Sequence, residues 1–293
     1  MTQNRILTLG EDDVGLEIWT IGARLNDVRI GGEGGHLARC ETVEDALGAK
    51  KNYGAVVGPV ANRLARAEAP VGGTVHKLVP NENGRTICHS GAKGVNTKTW
   101  EVTRETEDTL ELSLSIADGA DDFPGNRRLS VRYGLVPQGF SVAFEAVTDA
   151  PTLVNLALHP YWSLNRTGRE GQRIEVSADR YLPIDADKIP TGDIASVDGT
   201  IFDLRKAKEP SHEIDHNFCL SDAPAVRLVA DSGLVLEIET DAPGLQLYAG
   251  SPVGLAIEPQ HWPDAPHHEA FPSILLQRGE TYRQLSTYRF SRS

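Results

Sequence analysis

Only three cysteines, Cys40, Cys88 and Cys219, occur in 293 residues. An odd, widely spaced set does not suggest a disulfide framework, so stability is expected from an apolar core, which a chain of this length can build. Apolar runs long enough to span a bilayer as a helix are absent. The first eleven residues lack the apolar segment of a signal peptide. The expectation is a cytoplasmic protein without membrane contact. Basic clusters are missing as well, and the formal net charge is −12. Nucleic-acid binding draws on Lys and Arg that neutralise phosphates, which argues against a nucleic-acid partner. A neutral ligand such as a sugar meets no such repulsion.

Several chemical signatures are also absent or broken. No H-E-x-x-H and no C-x-x-C occurs, so zinc has no sequence support, and no G-x-S-x-G elbow is present. Gly31-Gly32-Glu33-Gly34-Gly35 lacks phosphate-loop spacing and reads as a turn. Asp185-Ala186-Asp187-Lys188-Ile189 begins like a calcium loop but has no oxygen ligand at the third position and no following glycine. It reads as a polar turn. His267-His268 looks metal-like, yet neighbours on a strand point to opposite faces and rarely share an ion unless they sit in a loop.

What the chain has in quantity is strand signal. Leu110, Leu112, Leu114 and Ile116 alternate with Glu111, Ser113 and Ser115. Leu129 to Leu135, Phe140 to Phe144 and Leu234 to Ile238 repeat the pattern, which buries one face of each strand. Asp118-Gly119, Phe123-Pro124-Gly125-Asn126, Pro137-Gln138-Gly139 and Asp231-Ser232-Gly233 supply the reversals. Thr42–Leu47 fits a short helix capped by Thr42 and fits a polar loop equally well. Without a linker, repeat or low-complexity segment, the sequence predicts one mostly-β domain over residues 1–293, built of antiparallel sheets packed face to face.

Four polar segments interrupt this background. Arg63 follows the apolar, glycine-containing stretch Gly54–Asn62, where a guanidinium needs partners; its fork suits sugar hydroxyls or a carboxylate. The residue types alone favour the structural ion pair slightly. His89 stands between the turns Asn81-Glu82-Asn83-Gly84 and Ser90-Gly91, where it could face a cleft or simply lie at the surface. His159 ends the run Val154–Leu158 and meets Tyr161 and Trp162. An aromatic face beside it suits the C–H face of a pyranose, and a hydrogen-bonded core histidine fits equally well. Glu258 ends the apolar run Gly254–Ile257. A carboxylate there is costly unless paired or used, and burial raises its pKa toward that of a base useful near neutrality.

These segments, in this order, resemble the aldose 1-epimerase family over roughly Gly22 to Phe290. Ala61-Asn62-Arg63, Cys88-His89-Ser90-Gly91, Phe123-Pro124-Gly125-Asn126 and His159-Pro160-Tyr161-Trp162 look like family motifs. So do Ile189-Pro190-Thr191-Gly192, Asp215-His216-Asn217-Phe218, Pro243-Gly244-Leu245-Gln246-Leu247-Tyr248, Glu258-x-Gln260 and Pro263-Asp264-Ala265. The resemblance implies an all-β supersandwich and interconversion of the α and β anomers of a free aldose, without cofactor or metal. It implies Glu258 as base, His159 as acid, and Asn62, Arg63, His89, Asp215 and Gln246 as the residues that hold the sugar. Pro59, Leu158, Pro160 and Pro259 depart from the family pattern, and the span from Gln246 to Glu258 is shorter, which leaves the preferred aldose open. The only partner expected is the monosaccharide.

The chemistry suits the residue types. Opening a hemiacetal removes a proton from O1 and supplies one to O5, and Glu258 ionised with His159 protonated would meet that need. Two rival readings share the fold: a sugar-phosphate (hexose-6-phosphate) epimerase, which would want extra basic residues, and a non-catalytic sugar-binding protein, which would not need the acid–base pair. A glycosidase would usually want two carboxylates. All of this requires Glu258 and His159 to reach one pyranose together.

Overall fold

The computed structural model describes residues 4–10 and 13–293. Alternation at period two becomes a large antiparallel sheet of eight strands. Its order is Gln172–Val176, Val226–Ala230, Leu234–Thr240, Tyr282–Arg292, Gly139–Thr148, Arg127–Val136, Thr109–Ile116 and Glu101–Glu105. The four alternating runs read from the sequence all lie in it. The Pro137-Gln138 reversal joins two of its strands as a tight hairpin, with Val136 opposite Gly139. On its inner face Phe140 lies opposite Tyr288 and stacks on it at 4.7 Å, while Leu236 lies opposite Phe290.

A second sheet of six strands runs Tyr161–Trp162, Leu255–Gln260, Gly244–Tyr248, Asp215–Cys219, Arg180–Tyr181, Ala195–Ser196. Successive side chains on its strands point to opposite faces. One face carries Trp162, Leu255, Ile257, Leu245, Leu247 and Phe218, each under 1% exposed. It packs onto the eight-stranded sheet, where the Trp162 ring lies 5.8 Å from Tyr288 and 6.0 Å from Phe290. This contact is the centre of a large shared apolar cluster. The other face is polar and is covered by the segments around Val56–Leu64, Ile87–Ser90 and His159.

A three-stranded sheet, Ile6–Leu9, Val14–Trp19 and Arg24–Ile30, contributes its inner residues to the same cluster. Of the helix and the loop that fit Thr42–Leu47, the helix is present, as one turn, Val43–Leu47. Thr42 Oγ1 accepts from the Asp45 N–H at 3.1 Å, and Asp45 accepts in turn from the Glu41 N–H at 3.0 Å. No helix of the described residues is long and apolar enough to cross a membrane.

Candidate active site

The polar face of the six-stranded sheet is set by register. Gln246 lies opposite both Glu258 and Asn217, and two residues along, Tyr248 lies opposite Asp215 and Ala256. Ala256 in turn faces Tyr161. Glu258, Gln246, Asp215, Tyr248 and Tyr161 therefore project on one side. Glu258 is only 2% exposed.

His159 comes from above this face. Its backbone is fixed on both sides, with His159 N–H donating to Ala55 at 3.0 Å and Gly54 N–H donating to the His159 carbonyl at 2.8 Å. Gly54 makes this possible because its φ is +62 and a Cβ would meet the Leu25 carbonyl at 1.9 Å. The result places His159 Nε2 3.4 Å from Glu258 Oε1. The two groups on which the sequence argument depends are neighbours.

His89 completes the group. Its ring meets that of His159 edge-on at 5.2 Å. Asn62 and His89 both adopt left-handed backbone and bind each other reciprocally: Asn62 N–H donates to His89 Nδ1 at 3.1 Å, and His89 N–H donates to the Asn62 carbonyl at 2.9 Å. Such strain on non-glycine residues persists where surrounding structure imposes it.

Two imidazoles and a carboxylate with donor atoms within 4.8 Å of one another have the composition of a metal-ligand set. A ligating nitrogen needs a free lone pair, and the one on His89 Nδ1 is already used by Asn62. The neutral ring then carries its proton on Nε2 and is a hydrogen-bond donor. The set fits a hydroxylated ligand better than a cation.

Burial governs the charges. It pushes the Glu258 carboxyl well above the usual carboxylate range, Asp215 adds to the rise, and Arg63 opposes it. Burial also lowers His159 to about 4 and drives His89 well below the ordinary imidazole value. An ionised Glu258 beside a protonated His159, the form expected from the sequence, is not the resting form that burial favours. Burial favours the arrangement with the same number of protons and no separated charge, with the proton on the carboxyl. Glu258 Oε2 and His159 Nδ1 are buried without a protein partner among the described residues.

Around this pair the ions are matched. Gln246 Nε2 donates to Asp215 Oδ1 at 2.9 Å, and Lys188 Nζ donates to Asp215 Oδ2 at 2.6 Å. Arg63 grips Glu82 through two bonds of 2.8 and 3.2 Å and reaches Asn62 Oδ1 at 3.4 Å. The ion-pair reading of Arg63 is thus realised, with its side chain beside the site. All seven predicted residues (Asn62, Arg63, His89, His159, Asp215, Gln246 and Glu258) belong to this constellation.

Three further expectations change. Trp162 is not a platform for a sugar, because strand alternation turns it to the buried face; Tyr161, 5.0 Å from the His159 ring, is the aromatic on the site side. His267 and His268 do not diverge, because Ala265–His267 is a 3-10 turn rather than a strand. His267 Nδ1 lies 2.5 Å and His268 Nε2 3.3 Å from the Asp264 carboxylate. The turn at Asp185–Ile189 is not merely polar surface, since it delivers Lys188 to Asp215. Lys188 and Glu82 were missed as site neighbours. The Asp-x-Asp pattern before Lys188, typical of a side-chain-stabilised turn, was the signal available. Leu158 and Pro259 point away from the site; Leu158 is in the core and Pro259 lies opposite Leu245 on the apolar face.

Comparison with known proteins bears on the family and the fold. A model of the aldose 1-epimerase family matches residues 5–289. The chain is 34% identical to a galactose mutarotase of Bos taurus, over 98% of this chain and 90% of that protein. It is 30% identical to the aldose 1-epimerase of Escherichia coli K12, over 98% and 95%. Among solved structures, a GalM/aldose epimerase homologue from C. elegans superposes with a TM-score of 0.92 at 26% identity, covering 99% of each chain. A galactose 1-epimerase from Lactobacillus acidophilus gives 0.87 at 25%, also over 99% of each.

Proposed function

The chain belongs to the aldose 1-epimerase family, and we propose that its mutarotase chemistry runs through the Glu258–His159 pair. The observation that carries this reading is their 3.4 Å separation on a buried polar face. O1 and O5 of a hemiacetal are attached to the same carbon, so a base for one and an acid for the other have to be neighbours.

The pair holds one proton. A sugar O1–H that donates to Glu258 stabilises the carboxylate form and shifts that proton to His159. Glu258 then takes the O1 proton while His159 gives one to O5. The C1–O5 bond breaks and leaves the open-chain aldehyde. Rotation about C1–C2 presents the other face, and the reverse transfers close the ring as the other anomer. No net proton is gained or lost. Positioned acid–base groups contribute roughly 10² to 10⁴-fold, which suits a reaction that already proceeds slowly in water.

Asn62, Arg63, His89, Asp215 and Gln246 hold the sugar in this reading, with the ring against Tyr161 and Tyr248. The ligand is a neutral free aldose, and galactose is the first candidate, because relatives carry the name galactose mutarotase. A phosphorylated sugar is less well served. Arg63 and Lys188 are each already paired with a carboxylate, so neither stands free for a phosphate. The same reading treats residues 1–293 as one domain working in the cytoplasm.

The test is NMR magnetisation exchange between anomers of galactose, glucose, arabinose and fucose, with the 6-phosphates alongside. Acceleration on a free aldose at catalytic enzyme concentration is expected. Tight binding without acceleration would make the protein a sugar binder, and acceleration confined to 6-phosphates would replace the substrate class.

A further inference from the structure

The turn that carries Lys188 is tied at several points. Asp185 Oδ1 accepts from the backbone N–H of Asp187 at 2.8 Å and of Ile189 at 3.0 Å. The Asp185 N–H donates to the Ile189 carbonyl, and the Lys188 N–H donates to the Asp185 carbonyl. Arg85 pins Asp187 at 2.7 Å. The two aspartates that suggested a calcium loop are occupied in holding the turn itself.

What the turn achieves is the placement of one side chain. Lys188 has a φ of +60, a conformation that asparagine or glycine adopts with less strain. Its backbone preference is therefore not what suits lysine to this position. The side chain runs to Asp215, and its ammonium also lies 6.0 Å from the centre of the Tyr248 ring. Asp215 is largely buried while Lys188 is half exposed, so the pair stands at the mouth of the candidate site.

We propose that Lys188 reads the sugar jointly with Asp215, donating a hydrogen bond to the same hydroxyl oxygen whose proton Asp215 accepts. This inference rests on the assignment of the Glu258–His159 constellation as a sugar site. A hydroxyl is both donor and acceptor, and a charged acceptor beside a charged donor satisfies both halves with strong bonds. The two charges cancel, so the favoured ligand class is a neutral aldose that keeps this hydroxyl. A sugar lacking it would leave both groups underused, which is the way polar sites reject deoxy analogues.

The experiment measures KM and kcat for anomer exchange with wild type, K188M and K188N. The panel is galactose, its 2-, 3-, 4- and 6-deoxy forms and galacturonate, with thermal melts confirming that each variant folds. K188N is included because asparagine tolerates the left-handed backbone. On galactose, both variants should raise KM by about 10- to 100-fold, the range of a hydrogen bond to a charged group, with kcat changed less than about threefold. Wild type should lose a similar factor on one deoxy sugar, and on that sugar the variants should cost almost nothing more. An unchanged KM, or an equal loss on every deoxy sugar, overturns the proposal; the second result would leave Lys188 as a support for Asp215 alone. A wild-type preference for galacturonate that disappears in K188M also overturns it, in favour of an acidic-sugar site. If wild type accelerates no anomer exchange, the catalytic reading fails separately, and calorimetric binding of the same panel still decides the role of Lys188.

Discussion

The two faces of the six-stranded sheet are made by the same strands and behave as opposites. Ile257 and Leu247 point one way into apolar contact, while Glu258 and Gln246, their neighbours in sequence, point the other. Both faces are buried. One is made of groups that gain by leaving water, and the other carries a Glu258 carboxyl oxygen and faces a His159 ring nitrogen, both without a protein partner among the described residues, which lose by it. The apolar face supplies the rigidity that keeps the polar one in place, and the polar face is kept in spite of its cost.

The sharpest way to test that division is to change each face separately. E258Q keeps the shape of the polar face but removes the group proposed to accept the O1 proton. We expect kcat to fall by about 10³-fold, inside the ~10² to 10⁴-fold span of positioned acid–base catalysis, while much of the sugar affinity remains. H159N should be similarly damaging. The double variant should lose little more than either single one, because groups that act as a unit are not additive. Anomer exchange by NMR with calorimetry of sugar binding reads both quantities. Near-normal turnover in E258Q would remove Glu258 from the mechanism.

On the apolar side, L247A should cost about 2–5 kcal/mol of stability through lost burial and an unfilled cavity. The protein that remains folded should turn over within a few-fold of wild type. Chemical denaturation paired with active-site titration measures this. A stable L247A with collapsed kcat would mean that the two faces are not separable.

D215N addresses the rim. It keeps an acceptor oxygen but removes the charge that holds Lys188 and that the proposal has accepting sugar hydroxyls. Apparent affinity should fall by roughly 10- to 100-fold, as for a hydrogen bond to a charged group, with a smaller effect on kcat. An unchanged apparent affinity would take Asp215 out of the binding set.

How much of this was legible beforehand follows from the same comparison. Alternation along Leu110–Ile116 or Leu234–Ile238 is written in adjacent residues, and those strands appear where the pattern places them. Asn62, His89, His159, Asp215, Gln246 and Glu258 meet through pairing of distant segments, which no local pattern encodes. His89, His159 and Glu258 stand out as polar residues at the ends of apolar runs or between turns, whereas Asn62, Asp215 and Gln246 are legible only through the resemblance of the ordered motifs to a family. Trp162 was misjudged because its role depends on which face it occupies, and Tyr161 and Trp162 differ only in that parity. Lys188 was passed over because a turn's hydrogen bonds can be guessed from Asp185, but the direction in which the turn aims its next side chain cannot.

The smallest expected effect bears on the cost of the polar face. Glu258 has a folded-state pKa raised above its unfolded value, so its contribution to stability is intact below about pH 4, the ordinary carboxylate range, and is lost as pH rises through the folded value. His159 is shifted the opposite way, to about 4, and its contribution is present above the ordinary imidazole range and lost as pH falls through about 4. E258Q should therefore melt higher than wild type at pH 8, and the difference should shrink toward zero at pH 4. Roughly 1–3 kcal/mol is the usual cost of a buried, poorly partnered polar group, and each kcal/mol moves Tm by roughly 2–4 °C in a chain near this size. The activity profile of wild type should share these limits, falling on the acid side near pH 4 as His159 gains a second proton for the pair, and on the alkaline side as the pair loses its only one; the two groups titrate as a unit. Melting curves of E258Q and wild type that stay parallel from pH 4 to 8 would show that the carboxyl is solvated well enough to ionise at no cost, and the contrast between the faces would then be one of shape alone.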